Sequence, residues 1–222
     1  MLAGEAVVAI WNGIAPEGRA NFYDWHLNEH MPERVGIPGF RRGRRFIAAD
    51  SATQPEFFTL YEADTLQVLQ GSDYTGRLNA PSEWTKRSVV HFRDTSRGLA
   101  RVIASHGPGV GSAMLTVRFD ADTAAQATVA ALIRDAASAP RVCGAHLCIA
   151  DDAASGVVTE EKRGRTDIQA PPRWIALVEA TDIEALQPLL AEAAMQDAGC
   201  RGALRRGCYR MEHLRTKTAW SS

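Results

Sequence analysis

Cysteine is scarce in this chain. Its 222 residues hold only Cys143, Cys148, Cys200 and Cys208, and no two of them make a C-x-x-C pair. With no secretion signal, the four read as reduced packing residues rather than a disulfide framework. An excess of one charge is missing too. The formal net charge is -1, which gives no general attraction to nucleic acid or to an acidic membrane. No segment reaches the ~18 uninterrupted apolar residues of a membrane span. Met1–Ile10 lacks a basic region followed by a long apolar stretch, so the expected location is the cytoplasm. A phosphate loop is lacking as well. Gly107-Pro108-Gly109-Val110-Gly111 is glycine-rich but has no Lys-Ser/Thr end, and a strand rather than a helix follows it.

What is present suits an ordinary packed core: 45% of residues are hydrophobic and 23% charged. The length fits one large domain or two small ones. Ala6–Trp11 reads as a strand, and near-helical spacing of Phe22, Trp25, His26 and Leu27 predicts a helix over 19–31. Pro32 and Gly36 are expected to end or loosen that helix. Strands follow at 40–49 and 57–62, then a short helix at 65–70 capped by Asp64. Residues 79–88 read as irregular, and the fourth strand falls at 89–93 or at 97–105. The run 107–111 disfavours helix and strand alike, and marks a boundary between 1–108 and 109–222.

After that boundary the order begins again. Strands are predicted at 113–119, 142–150, 173–179 and 204–213, with helices at 122–139 and 182–195. The polar stretch 151–172 reads as a mobile insertion. Short matches tie the halves together: Glu62-Ala63-Asp64 with Glu179-Ala180-Thr181-Asp182, and Gly43 to Asp50 with Gly144 to Asp151. The second match sets Arg45 against His146. The fold class expected is α+β: two ferredoxin-like βαββαβ repeats whose antiparallel sheets face each other as a barrel within one chain. Either a cavity or a tightly filled core is expected between the sheets. A homodimer through the outer strand edges is left open.

The words Trp25-His26-Leu27-Asn28-Glu29-His30-Met31-Pro32-Glu33-Arg34 and Ile37-Pro38-Gly39-Phe40, running on to Phe46, resemble the dimeric α+β barrel superfamily, and within it EthD-like proteins. The resemblance covers roughly residues 5–105. It implies a ligand space between the first helix and the sheet, with histidines there handling protons. It also implies a small-molecule ligand and a cofactor-independent lyase, isomerase or oxygenase acting on an apolar, perhaps aromatic, carbonyl compound. Haem is bound by some superfamily members, but no dedicated haem motif stands in this sequence.

His26 and His30 lie four apart, on one helical face, with Glu29 beside them. Imidazole titrates near neutrality, so these three are the candidate catalytic group. Trp25, Arg42, Arg44, Arg45, Tyr61, Trp84 and His146 are the candidate substrate-binding residues. A guanidinium fork suits a carboxylate or enolate, but alternation sets Arg42 and Arg44 on one face and Arg45 on the other. The bland reading makes the histidines helix-terminal residues and the arginines solvated strand edges. His26-x-x-Glu29-His30 also matches an inverted zinc-hydrolase motif, although no third ligand stands out downstream. A non-catalytic barrel for assembly or ligand storage is the rival class. A polar pocket holding His30 and an arginine favours catalysis; a solid space between the sheets favours structure alone.

Overall fold

The computed structural model describes residues 1–163 and 165–217. Position 164 of the expected insertion and positions 218–222 of the expected second half lie outside the described residues. Strand β1 (Ala6–Ile14) leads into α1 (Arg19–Trp25), a π-helical turn (His26–His30) and α2 (Met31–Gly36). Then come β2 (Phe40–Ala48), β3 (Phe57–Ala63), α3 (Leu66–Gln70), α4 (Ser72–Asn79), α5 (Glu83–Val89) and β4 (Phe92–His106). The rest supplies β5 (Ala113–Ala121), α6 (Gln126–Ala137), β6 (Val142–Ala150), α7 (Asp152–Gly156), β7 (Trp174–Ala180), α8 (Glu192–Asp197) and β8 (Cys200–Thr216).

The strands close into one antiparallel barrel in the order β1-β3-β2-β8-β5-β7-β6-β4. Exchanging each strand for its counterpart four places on maps this circle onto itself. Closure leaves no edge strand among those described, so pairing with a second copy through open edges has no template here.

Alternation sorts each strand into two faces. Val7, Ala9 and Trp11 of β1 point inward, where they meet Phe46, Phe58, Leu60, Ile175, Leu177 and Tyr209. Ala6 and Val8 point outward beneath α2 and α3, against Met31, Val35 and Leu66. Trp11, Phe58, Leu60 and Leu177 are 0% exposed, so no water-sized void touches them. Of the two expected outcomes the space between the sheets takes the second: it is solid.

One end of that interior is charged. Arg44 donates to both oxygens of Glu179, at 2.6 and 3.0 Å, and lies 2.9 Å from Glu62. Glu62 also accepts from Arg42 Nε at 2.6 Å and from the Ala3 N–H at 2.6 Å. Glu179 takes the Gly111 N–H at 3.1 Å and faces His146 Nε2 at 3.2 Å. Burial alone would raise the Glu179 carboxyl, yet His146 and the Arg44 guanidinium hold it down at about 2. The Arg42–Arg45 run is therefore no solvated edge; Arg44 and Arg45 are 0% and 5% exposed.

Strand register corrects the match between the halves. Glu62 pairs with Arg42 and Glu179 with Gly144, each just past a bulge. Arg44, not Arg45, thus stands where His146 stands, and both point inward. The short Gly-to-Asp match slips by one residue, which in a strand exchanges the faces.

Other boundaries also shift. Helix structure continues past Pro32 to Gly36, because the Met31 N–H reaches the His26 carbonyl five residues back. Pro32 then sits in the first turn of α2, where its missing N–H costs nothing. Residues 79–88 are not irregular: α5 starts at a Ser82 cap that accepts from the Thr85 N–H at 3.0 Å. Of the two alternatives for the fourth strand, 97–105 lies within β4, whereas 89–93 mostly does not: Val89 ends α5, and only Phe92 and Arg93 are in the strand. Asp64 does not cap α3; it pairs with Arg41 instead. The helix expected over 182–195 is a 3₁₀ turn at Glu184–Leu186 and then α8, since Pro188 cannot supply a helical N–H. Within 151–172, Asp167 accepts from the Thr95 hydroxyl at 2.6 Å, and the Ser155 hydroxyl accepts from the Leu99 N–H at 3.0 Å.

Candidate functional site

The outer face of β2 and β3, under α1 and α2, gathers the first group of candidates. Trp25, His26 and His30 are buried there. The π turn aims both imidazoles at the sheet, with ring centroids 5.7 Å apart. Such turns are rare and often mark functional sites. Arg45 lies 3.4 Å from His26 Nδ1, and the Tyr61 hydroxyl 3.5 Å from Nε2. Guanidinium can only donate, so Nδ1 is the acceptor and Nε2 carries the proton. Both contacts are long. The Trp25 indole lies over His30 with centroids 4.3 Å apart, and its N–H donates to Thr85 Oγ1 at 3.1 Å. His30 Nδ1 is buried and has no hydrogen-bond partner.

Arg34 completes this layer. It is 3% exposed and donates to Glu33 at 2.9 Å and to Glu161 at 2.6 Å. Arg97 donates to the Tyr74 hydroxyl beside it at 2.6 Å. Burial pushes the imidazoles of His26 and His30 well below their usual range, helped by Arg45 for His26 and by Arg34 for His30. Both are neutral at pH 7, as a proton acceptor must be. Burial likewise pushes the Tyr61 hydroxyl up, so it stays a phenol.

The remaining candidates lie elsewhere. Glu29 turns away from the histidines and accepts from Ser82 Oγ at 2.5 Å and from Thr85 Oγ1 at 3.3 Å. It supports α5 rather than an imidazole. The Trp84 indole donates to Asn21 at 2.8 Å and packs with Phe22 and Phe92. Arg42, Arg44 and His146 belong to the barrel interior described above. The zinc reading is not met: among the described residues no group of three or more His, Cys, Asp or Glu gathers. The four cysteines are unpaired, and among the described residues no helix is long and apolar enough to cross a membrane.

Arg34, Arg97, Thr85 and Glu161 join the histidine layer from outside the sequence-predicted set. Arg34 had a signal, because it stands four residues after His30 on the same helical path. Glu161 had none; it comes from the polar stretch after α7. Thr85 and Glu161 also line a cleft of about 670 Å³ that includes Phe92 and Arg165. That cleft lies just across Trp25 from His30.

Neutral buried histidines make a stability prediction. The unfolded chain takes up protons near the ordinary imidazole value, about 6.5, while the folded chain does not. The unfolded state thus binds more protons, and stability falls as pH drops below that value. Two such groups give a slope of up to about 2.7 kcal/mol per pH unit. Urea unfolding between pH 7 and pH 5 measures it. The double replacement H26Q/H30Q should flatten the slope, and an unchanged slope would contradict the assignment.

The fold defines the class: this is an α+β barrel protein. A solved anthrone oxidase-like protein shares 11% identity with it, over 95% of this chain and 92% of that one, with a TM-score of 0.64. Two proteins named as monooxygenases have the same architecture. The one from Lactobacillus acidophilus shares 9% identity over 96% of each chain, with a TM-score of 0.58. The one from Fusobacterium nucleatum shares 8% over 97% of this chain and 96% of that one, with a TM-score of 0.57. At such identities the likeness establishes the fold alone. Comparison with family models gives no match, nor does comparison with curated proteins.

Proposed function

We propose that the protein is a cofactor-independent, oxygenase-type enzyme acting on a small apolar, aromatic carbonyl compound. The observation that carries this reading is His30: a buried, neutral imidazole with a free Nδ1, walled by Trp25, His26 and Tyr61. The layer between the α1–α2 helix and the outer face of β2–β3 is closed in this structure, so the ligand enters from the cleft lined by Thr85, Phe92 and Glu161 and displaces the Trp25 ring to reach His30. His30 Nδ1 takes a proton from a methylene flanked by carbonyl and aryl groups. Arg34, held between Glu33 and Glu161, orients the enolate through its remaining N–H donors. The enolate then passes electrons to O₂, so that the CH₂ group and O₂ become a C=O group and water. The names of the anthrone oxidase-like and monooxygenase neighbours support this choice among the lyase, isomerase and oxygenase alternatives.

The same reading treats residues 1–108 and 109–222 as ferredoxin-like repeats, closed into an intrachain version of a dimeric barrel. The shared bulges before Glu62 and Glu179 support it, and the words from Trp25 to Phe46 resemble those of EthD-like proteins. The second half has no counterpart of His26 or His30 on its helix α6, so there is one site per chain.

A second reading, a barrel without catalysis, draws on the solid space between the sheets. Oxygen uptake separates the two. Protein stripped of metals and chromophores is given anthrone-type methylenes and aryl 1,3-diketones, and dissolved O₂ is followed with an electrode. Uptake with carbonyl product and no added cofactor is expected. No uptake and no binding across that panel, by a folded protein, would remove the enzymatic reading.

A further inference from the structure

The barrel interior has a second charged end, opposite the Glu62–Glu179 end, and it is built differently. Arg118 on β5 points inward there and is 7% exposed. Its guanidinium lies 4.7 Å from the centroid of the Trp11 ring. Its Nε has no partner, and its one hydrogen bond is a long contact of 3.4 Å to the Gln54 carbonyl. Among the described residues no carboxylate pairs with it. A buried charge is ordinarily paired, because a guanidinium removed from water without a counter-charge is strongly disfavoured.

The surroundings sharpen the imbalance. Arg118 opens onto a cleft of about 340 Å³ that is also lined by Ser96, Asp120, Pro172, Arg173, Arg201 and Arg205. Asp120 is already taken by Arg173 at 3.1 Å, and Arg201 is taken by Asp122. Arg205 has no acidic partner among the described residues, and it acts on Arg118 as a repelling neighbour. The remaining groups that face Arg118 are neutral: the Trp11 ring, the Gln54 carbonyl, Ser96 and the Tyr209 phenol. Burial pushes the Arg118 guanidinium down to about 10, against the usual direction for an arginine held by a carboxylate. The cleft therefore carries two unmatched positive charges, one sheltered and one at the mouth.

We propose that this cleft is a binding site for a small oxyanion, a carboxylate or phosphate group, clamped by the Arg118 fork with Arg205 closing over it. Arginine's planar donors match two oxygens of such a group at once. The Trp11 ring fixes the plane of the fork from below. Phe119, Pro171 and Pro172 supply an apolar wall for whatever the oxyanion is attached to. The site shares no residue with the His26–His30 layer and stands independently of the oxygenase reading.

Calorimetry with inorganic phosphate and with benzoate, at an ionic strength matched with sodium chloride, tests the proposal. The wild-type protein should bind at least one of the two. Binding of phosphate alone would mark a phosphate site, and binding of benzoate alone a carboxylate site. R118M should weaken that binding at least tenfold. Without any anion it should melt no lower than wild type, because an unpaired buried charge has gone. R205Q, an exposed change, should weaken binding at least threefold with the fold intact, and it decides the matter if R118M fails to fold. Failure of the wild type to bind either probe would overturn the proposal. Unchanged affinity in R118M would do so too, as would unchanged affinity in R205Q where R118M does not fold.

Discussion

Replacing Arg44 with methionine is expected to cost about 3–5 kcal/mol of stability, the range for breaking a buried ion pair by deleting one member. Arg44, Glu62 and Glu179 are all 0% exposed, so neither carboxylate can turn to water when the guanidinium goes. Glu179 keeps His146 and the Gly111 N–H, and Glu62 keeps Arg42 and the Ala3 N–H. Those four donors are not enough for two adjacent negative charges. R44M/E62Q/E179Q removes the charges while retaining carbonyl acceptors for both N–H groups, and should recover most of the loss. Urea unfolding at pH 7 checks both variants. A single R44M variant within about 1 kcal/mol of wild type would show that this end of the barrel is not held by the pairs described.

Oxygen uptake by H30Q is expected to fall about 10²- to 10⁴-fold, the usual contribution of a positioned proton-transfer group. Glutamine occupies a similar space and hydrogen-bonds but does not accept a proton at pH 7. Near-UV circular dichroism should report an unchanged aromatic environment around Trp25. H26Q should lose less, because His26 has both nitrogens turned to Arg45 and Tyr61 and serves chiefly to hold the layer. Equal, small losses in the two variants would favour a structural role for both histidines.

The chain displayed its strands openly. Ala6–Trp11, Phe57–Glu62 and Trp174–Glu179 are runs of β-branched, aromatic and other apolar residues, buried on both faces by the interior on one side and helices on the other. Alternation correctly separated Arg44 from Arg45. Two things stayed hidden. The first was the central role of Glu62 and Glu179: their repetition stood out as a match between halves, but a glutamate inside an apolar strand becomes tolerable only once Arg44 and His146 arrive from other strands. The second was the set of side chains that hold Trp25 and Arg34 in the histidine layer. Arg34 was within reach of spacing arguments, whereas Thr85 and Glu161 arrive from 55 or more positions away and no local pattern marks them. Helix ends were misjudged where proline had two meanings. Pro32 begins a helical turn because a π turn precedes it, while Pro188 breaks one.

The imidazole ¹⁵N shifts of His26 and His30, followed from pH 8 to pH 5, test the histidine layer most directly. Two neutral rings with no protonation step near pH 6.5 are expected, and a shift at His30 Nδ1 when an aromatic carbonyl ligand is added. Two rings that titrate at or above 6.5, with His30 unmoved by any ligand, would contradict this expectation.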